Sequence, residues 1–363
     1  MALDNHYWKS PTYLGKPITI DNKGAYGIVG ASIAAHHTSF YATGVAGGTM
    51  LDCSMPTQHK PRNIVVTHGH SDHCGNVHRI LHNTNDMCPA IFCPRDIQTS
   101  LRDYIHSSFV LTKNTQTPRI HNKYSLTGVT IGEKLPFCYD SKIKNRVNWY
   151  LEILYCHHTV PCVGYGFSEM RSKLRDDAEF TGLVDQYKTI FVRENNPQLG
   201  DSTLSRIDCP IQDIYNRMKT DGINISREVE VPIFAFMGDT DHQALYAFAS
   251  NANKKKNKNK NIDEDIKELL NRQFSPALEK YPSIMIECTF IDDDHIGYAR
   301  DDCHMHWKYL KPYIIAHPNT RFLLMHFSGR YAAEYLEKFF VNENIPNVFP
   351  IISMPYKRNN TSI

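Results

Sequence analysis

The stretch Asn63-Ile64-Val65-Val66-Thr67-His68-Gly69-His70-Ser71-Asp72-His73 decides how this chain is read. Its first residues form a short apolar, β-branched run, the pattern of a buried strand. That strand leads straight into three histidines and one aspartate within residues 68–73. Imidazole and carboxylate are the donors that hold zinc while leaving a position open for water. On extended backbone, side chains two apart point to the same side, so His68 and His70 share a face. Asp72 and His73 lie past a turn and can reach a second ion. The order of the donors and the strand before them argue against a chance cluster in a chain with 19 histidines.

One cluster cannot complete two metal spheres, so further donors are expected at other strand ends. Three places qualify. His157 and His158 follow the apolar run 151–156, Asp239 follows 233–237, and His326 follows 321–325. Strands are also read at 27–40, 50–53, 148–156, 163–167, 231–237 and 283–287, with a turn at Pro161. Helices are read at 76–82, 95–107, 243–250, 263–272, 304–316 and 330–340. Strands followed by helices indicate a layered α/β (α+β) domain rather than an all-β one. Residues 168–230 are polar with poor periodicity and read as an insertion. Residues 251–261 are lysines among asparagines, which bury too little apolar surface to order themselves and read as a solvated loop. No internal repeat is visible, and the reading is one domain over 1–363.

Composition bounds the rest. The chain has 363 residues, 41% hydrophobic and 21% charged, as in an ordinary globular protein. A net charge of +2 neither demands nor excludes a polyanionic partner; local patches would carry any such contact. Ten cysteines are scattered without a Cys-x-x-Cys pair, and a chain of this size needs no disulfide staples. No segment approaches the ~20 apolar residues of a membrane helix, and residues 1–16 lack the apolar run of a signal sequence. The expected setting is intracellular, cytoplasmic and reducing, without a membrane partner.

Together these motifs resemble the metallo-β-lactamase superfamily, whose signature is His-x-His-x-Asp-His. The later ones resemble its tRNase Z-like branch, the endoribonucleases that trim the 3′ end of precursor tRNA. Leu51-Asp52-Cys53 with Thr57-Gln58 is similar to that branch's first motif. In the third, a histidine precedes a Gly-Tyr pair by six, which selects His158, before Gly164-Tyr165, over His157. Gly238-Asp239-Thr240, Glu287-Cys288-Thr289-Phe290, and His326-Phe327-Ser328 with Arg330-Tyr331 are similar to later motifs. His304 stands at the spacing before His326 at which the family places another histidine. The chain departs from the pattern at Ser54-Met55-Pro56, where Gly-Glu-Gly is usual, and at Ile286, where a histidine often stands. Gly75 follows His73 by two rather than three. Residues 168–230 occupy the place of the tRNA-gripping arm without its Gly-Pro-rich tip.

The resemblance implies a four-layer αββα sandwich and two divalent ions, zinc or, as alternatives, manganese or another divalent metal. His68, His70 and His158 would hold one ion and Asp72, His73 and His326 the other, with Asp239 between them. Such a pair activates water for attack on phosphorus. Asp72 would orient or deprotonate the nucleophile. His304 would protonate the leaving ribose oxygen, with Glu287 orienting its ring. Arg330 and Tyr331 are candidates for substrate phosphate or, equally, for packing at a helix start. His36 and His37 are read as core or strand-edge residues, and Asp52 as the partner that orients a ligand histidine. The resemblance also implies RNA as partner and a homodimer. Two other functions share these ligands: a small-substrate hydrolase of lactams, thioesters or other esters, and a metal-bearing RNA-binding protein without turnover.

Overall fold

Among the described residues, fourteen strands form two seven-stranded sheets. The computed structural model describes residues 18–20, 24–83, 88–114, 123–139, 147–198, 209–247, 267–269 and 271–353. The first sheet runs in chain order through β1 (Ile18–Thr19), β2 (Gly27–Ile33), β3 (His37–Thr43), β4 (Thr49–Leu51), β5 (Asn63–Val65), β6 (Ala90–Pro94) and β7 (Ser125–Val129). It is antiparallel from β1 to β4 and parallel from β4 to β7. The second holds β8 (Lys134–Tyr139), β9 (Val147–Tyr155), β10 (Val163–Leu174), β11 (Ser226–Phe236), β12 (Ser283–Glu287), β13 (Arg321–Met325) and β14 (Val348–Pro350). Strands β11 to β14 pair in parallel. Parallel strands are covered on both faces, which is why β12 is buried at every position.

The sheets stack face to face. An aromatic series joins them, Phe92–Phe137–Phe167–Phe234, with centroids 5.2, 5.5 and 4.7 Å apart. From β10, the buried Tyr165 hydroxyl bonds to the Val66 and Phe92 carbonyls of the first sheet at 2.7 and 3.2 Å. Helices cover both outer faces. On the first sheet α1 (Ser71–Cys74), α2 (Val77–Asn83) and α3 (Gln98–Lys113) turn apolar residues toward Met50, Ile64 and Ile91. In α3 these are Leu101, Ile105 and Phe109, one stripe at four-residue spacing. Over the second sheet, the helices Trp307–Ala316 and Ala333–Glu343 cover Ile284, Ile286, Phe322 and Leu324. The result is four layers, helix–sheet–sheet–helix.

Residues 169–231 form a compact unit of their own, and 1–168 with 232–363 form the other. Among its described residues, the polar stretch 168–230 holds two helices that its composition did not suggest. Asp177 caps the first, Ala178–Asn195, by accepting from the Phe180 N–H at 2.9 Å. Phe180 packs there against Ile214 and Met218 of the second, Ile211–Thr220.

Other expectations shift. The run 27–40 is a hairpin, β2 and β3, turned at Ala35 with φ 61°. The helix expected at 243–250 is a 3-10 turn, His242–Leu245, from which Tyr246 leaves to bridge Phe274. The helix expected at 304–316 starts only at Trp307. His306 caps it: Nδ1 accepts from the Lys308 N–H at 3.0 Å, and Nε2–H donates to the Asp292 carbonyl at 2.9 Å. The helix expected at 330–340 is Ala333–Glu343. Residues 1–16, the loop 251–261 and most of the helix read at 263–272 lie outside the described residues. Among the described residues, no helix is long and apolar enough to cross a membrane.

Candidate metal centre

Strand polarity gathers the site. His68 follows β5, His158 follows β9, Asp239 follows β11, Glu287 ends β12 and His326 follows β13. In parallel sheets, such sites form beyond the carboxyl ends of the strands. Donor atoms of His68, His70, His158 and Asp239 lie within 4.8 Å of one another, as do those of Asp72, His73 and His326. A third set, within the same limit, is Asp239, Glu287, His304 and His326. Asp239 is 2% exposed and sits among them. Its carboxylate lies 3.8 Å from His68 Nε2, 3.3 Å from His73 Nε2 and 3.4 Å from His326 Nε2.

Four of the five candidate rings are aimed by a bond on the other nitrogen. His73 Nδ1–H donates to Asp52 Oδ2 at 2.7 Å. His68 Nδ1–H donates to Thr67 Oγ1 at 3.0 Å, and Thr67 in turn donates to Asp52 at 2.9 Å. On the other sheet the arrangement repeats: His326 Nδ1–H donates to Thr289 Oγ1 at 2.9 Å, and Thr289 donates to Glu287. His158 Nδ1–H donates to the Cys303 carbonyl at 3.3 Å. Such outer partners select the tautomer and leave a lone pair facing inward. Thr67 and Thr289 were not anticipated from sequence. A threonine next to a strand-end donor is a weak signal, and here it marks the aiming hydroxyl.

The inward lone pairs test whether metal fits. His73 Nε2 faces His326 Nε2 at 3.4 Å, and His158 Nε2 faces His70 Nδ1 at 3.4 Å. Two nitrogens bound at about 2.05 Å in a tetrahedral sphere stand about 3.3–3.4 Å apart. His68 Nε2 and Asp239 Oδ1 are buried without any hydrogen-bond partner. A buried polar atom without a partner costs free energy that a cation would recover. The donor set therefore fits two divalent ions.

The charges are strongly coupled. Burial holds His68 well below the ordinary imidazole value. Burial opposes charge on His73 too, but Asp239 and Asp52 outweigh it and raise that ring well above ordinary. Asp239, despite its burial, is held well below the usual carboxylate range by His326, His73 and His68. Backbone strain gathers here as well: Asp52, His326 and Cys303 have φ of 52°, 62° and 55°. Non-glycine residues in that region cost about 1–3 kcal/mol and cluster at functional sites.

His304 sits at the rim, 17% exposed. Its Nδ1 lies 2.9 Å from Glu287 Oε1 and 4.0 Å from Asp239 Oδ2. Burial works against charge on this ring, yet Glu287 outweighs it and raises His304 to about 9. Of the two candidates for substrate, Tyr331 takes the packing role. Its ring is 7% exposed, and its hydroxyl accepts from the Ile291 and Asp292 N–H groups at 3.1 and 3.4 Å and bonds to His295 at 2.8 Å. Arg330 stays exposed, its guanidinium over the Tyr298 ring at 4.9 Å. His36 and His37 lie at the β2–β3 turn and the start of β3, half-buried or exposed rather than in the core.

No family model matches the chain. Over 280 residues it is 23% identical to tRNase Z TRZ1 of Arabidopsis thaliana, covering 76% of this chain and 75% of that protein. Among solved structures, the metallo-β-lactamase fold protein YhfI from Bacillus subtilis aligns with a TM-score of 0.45 and 11% identity, over 90% of this chain and 95% of that one. Human tRNase Z, short form, gives a TM-score of 0.45 and 14% identity over the same shares.

Proposed function

We propose that this chain, which has the metallo-β-lactamase fold and is similar in sequence to tRNase Z, is a metal-dependent hydrolase that cleaves phosphodiester bonds in RNA. The observation that carries the reading is the His304–Glu287 pair at the rim of the Asp239 cluster. A ribose oxygen leaves poorly without a proton, whereas the thiolate of a thioester departs without one.

The ligand roles follow the donor sets. His68, His70 and His158 would hold one ion, Asp72, His73 and His326 the other, and Asp239 would contact both. When bound, two divalent ions, zinc by this donor set, lower the pKa of water and offset negative charge on phosphoryl oxygens. Asp72, 15% exposed, reaches the pocket and would orient the nucleophile or take its proton. The bond from phosphorus to the leaving oxygen breaks as His304 hands over the Nε2 proton. Glu287, holding Nδ1, keeps that ring charged and turned toward the pocket. Arg330, exposed beside Tyr298, is the remaining candidate for a substrate phosphate.

Precursor tRNA is the RNA this reading favours, because tRNase Z is the similar protein. The test is turnover of precursor tRNA, DNA and a β-lactam with added zinc or manganese, alongside His68→Ala. Cleavage just past the acceptor stem, lost in the variant, is expected. Turnover of the β-lactam with RNA untouched would overturn it, as would RNA binding without cleavage. The same likeness favours a homodimer, which light scattering checks as twice the chain mass.

A further inference from the structure

We infer a third metal site, built from His157, Asp241 and Cys303 beside the Asp239 cluster. One donor atom from each lies within 4.8 Å of the others. His157 Nδ1 is 2.9 Å from Asp241 Oδ2, and Asp241 is 2% exposed while His157 is 30% exposed. The Gln243 side chain closes one side, with Nε2 3.0 Å from Asp241 Oδ2 and 3.1 Å from His157 Nδ1. Cys303 is half-buried, so the site is reachable from solvent. Its backbone holds φ 55°, a strained conformation for cysteine of the kind that gathers at functional sites.

The donor set selects the ion. One imidazole, one carboxylate and one thiolate make a borderline-soft triad, the kind that takes zinc with water or an amide oxygen in the fourth position. Hard magnesium and calcium prefer oxygen alone. On binding, the Cys303 thiol gives up its proton to solvent, and His157 coordinates through Nδ1 with its proton on Nε2, so that the ion replaces the contact between Nδ1 and Asp241. The position makes such an ion consequential. His157 adjoins His158, Asp241 is two residues from Asp239, and Cys303 adjoins His304. The Cys303 carbonyl also accepts the His158 Nδ1–H bond. An ion here would clamp the three loops that carry those side chains. The site does not depend on RNA being the substrate.

Cobalt titration of the metal-stripped full-length protein tests it. The Asp239 cluster offers only nitrogen and oxygen, so a thiolate-to-cobalt charge-transfer band in the near ultraviolet reports the Cys303 site. Wild type should bind three equivalents and show the band. Cys303→Ser and Asp241→Asn should bind two and lose it, while Cys162→Ser should keep it. Cys303→Gly accepts φ 55° without strain and should match Cys303→Ser with an unchanged circular-dichroism spectrum. Two equivalents without the band in wild type, or a band that survives Cys303→Ser, would overturn the inference. Loss of RNA cleavage in any variant has no bearing on these readouts.

Discussion

Replacing Glu287 with glutamine should slow RNA cleavage by about 10²–10³-fold while sparing a substrate whose leaving group needs no proton. Glu287 is fully buried and accepts from Thr240 N–H at 2.7 Å, Met305 N–H at 3.1 Å, His304 Nδ1–H at 2.9 Å and the Thr289 hydroxyl. Burial alone would lower His304; the charge and hydrogen bond of Glu287, joined by Asp239 and Asp302, lift it to about 9. At pH 7 that ring is about 99% imidazolium; at the ordinary value of 6.5 it would be about one quarter charged, and burial would reduce it further. Lost protonation thus accounts for at least about fourfold, and the remainder comes from a ring no longer held toward the leaving oxygen. Bound cations oppose the imidazolium, so the alkaline limb of the wild-type rate profile should fall between 6.5 and about 9. The assay is single-turnover cleavage of RNA against bis(4-nitrophenyl) phosphate, whose nitrophenolate departs unprotonated. His304→Ala should show the same split, and the double variant should be no slower than His304→Ala alone. Equal losses on both substrates at unchanged zinc content would refute the acid role.

Asp52→Asn removes the carboxylate that holds His73 Nδ1 at 2.7 Å and should weaken metal binding about 10–100-fold, read by competition with a chromogenic chelator. Tyr331→Phe should lower stability by about 1–2 kcal/mol in urea melts with KM unchanged, because its hydroxyl serves the backbone at 291 and 292. Arg330→Ala should raise KM for RNA several-fold and leave the melting temperature alone; an unchanged KM would remove it from the substrate path. Burial pushes the Cys93 thiol up to about 12 from 9.0. The folded state then keeps a proton that the unfolded chain releases. Cys93 should therefore resist Ellman's reagent at pH 8, and its share of stability, full below pH 9, should fall as pH rises toward 12. A urea midpoint that loses as much over that range in Cys93→Ala as in wild type would contradict this.

The donors were legible wherever chemistry is local in sequence. His68 to His73 declare themselves within one turn of chain, and Asp239 and His326 each stand just past an apolar strand. Their helpers were harder to see. Thr289 aims His326 from 37 residues away, and Thr67 is an ordinary strand-end threonine until Asp52 is seen beneath it. His304 and His306 are nearly equivalent in sequence; only folding sends one to Glu287 and the other to a helix cap. In 168–230 the charged residues that solvate the outer faces diluted the apolar stripe of Phe180, Leu183, Val184 and Tyr187, so a real helical period read as noise. The resemblance placed His158 ahead of His157 and so set aside the neighbouring ring, which meets Asp241.

Donors reach the Asp239 cluster from both sheets, His68 and His73 from one and His158 and His326 from the other. Ions seated there would act as rivets through the sandwich, because separating the layers would require releasing them. Resistance to unfolding would then rise with the concentration of whichever divalent ion the cluster binds.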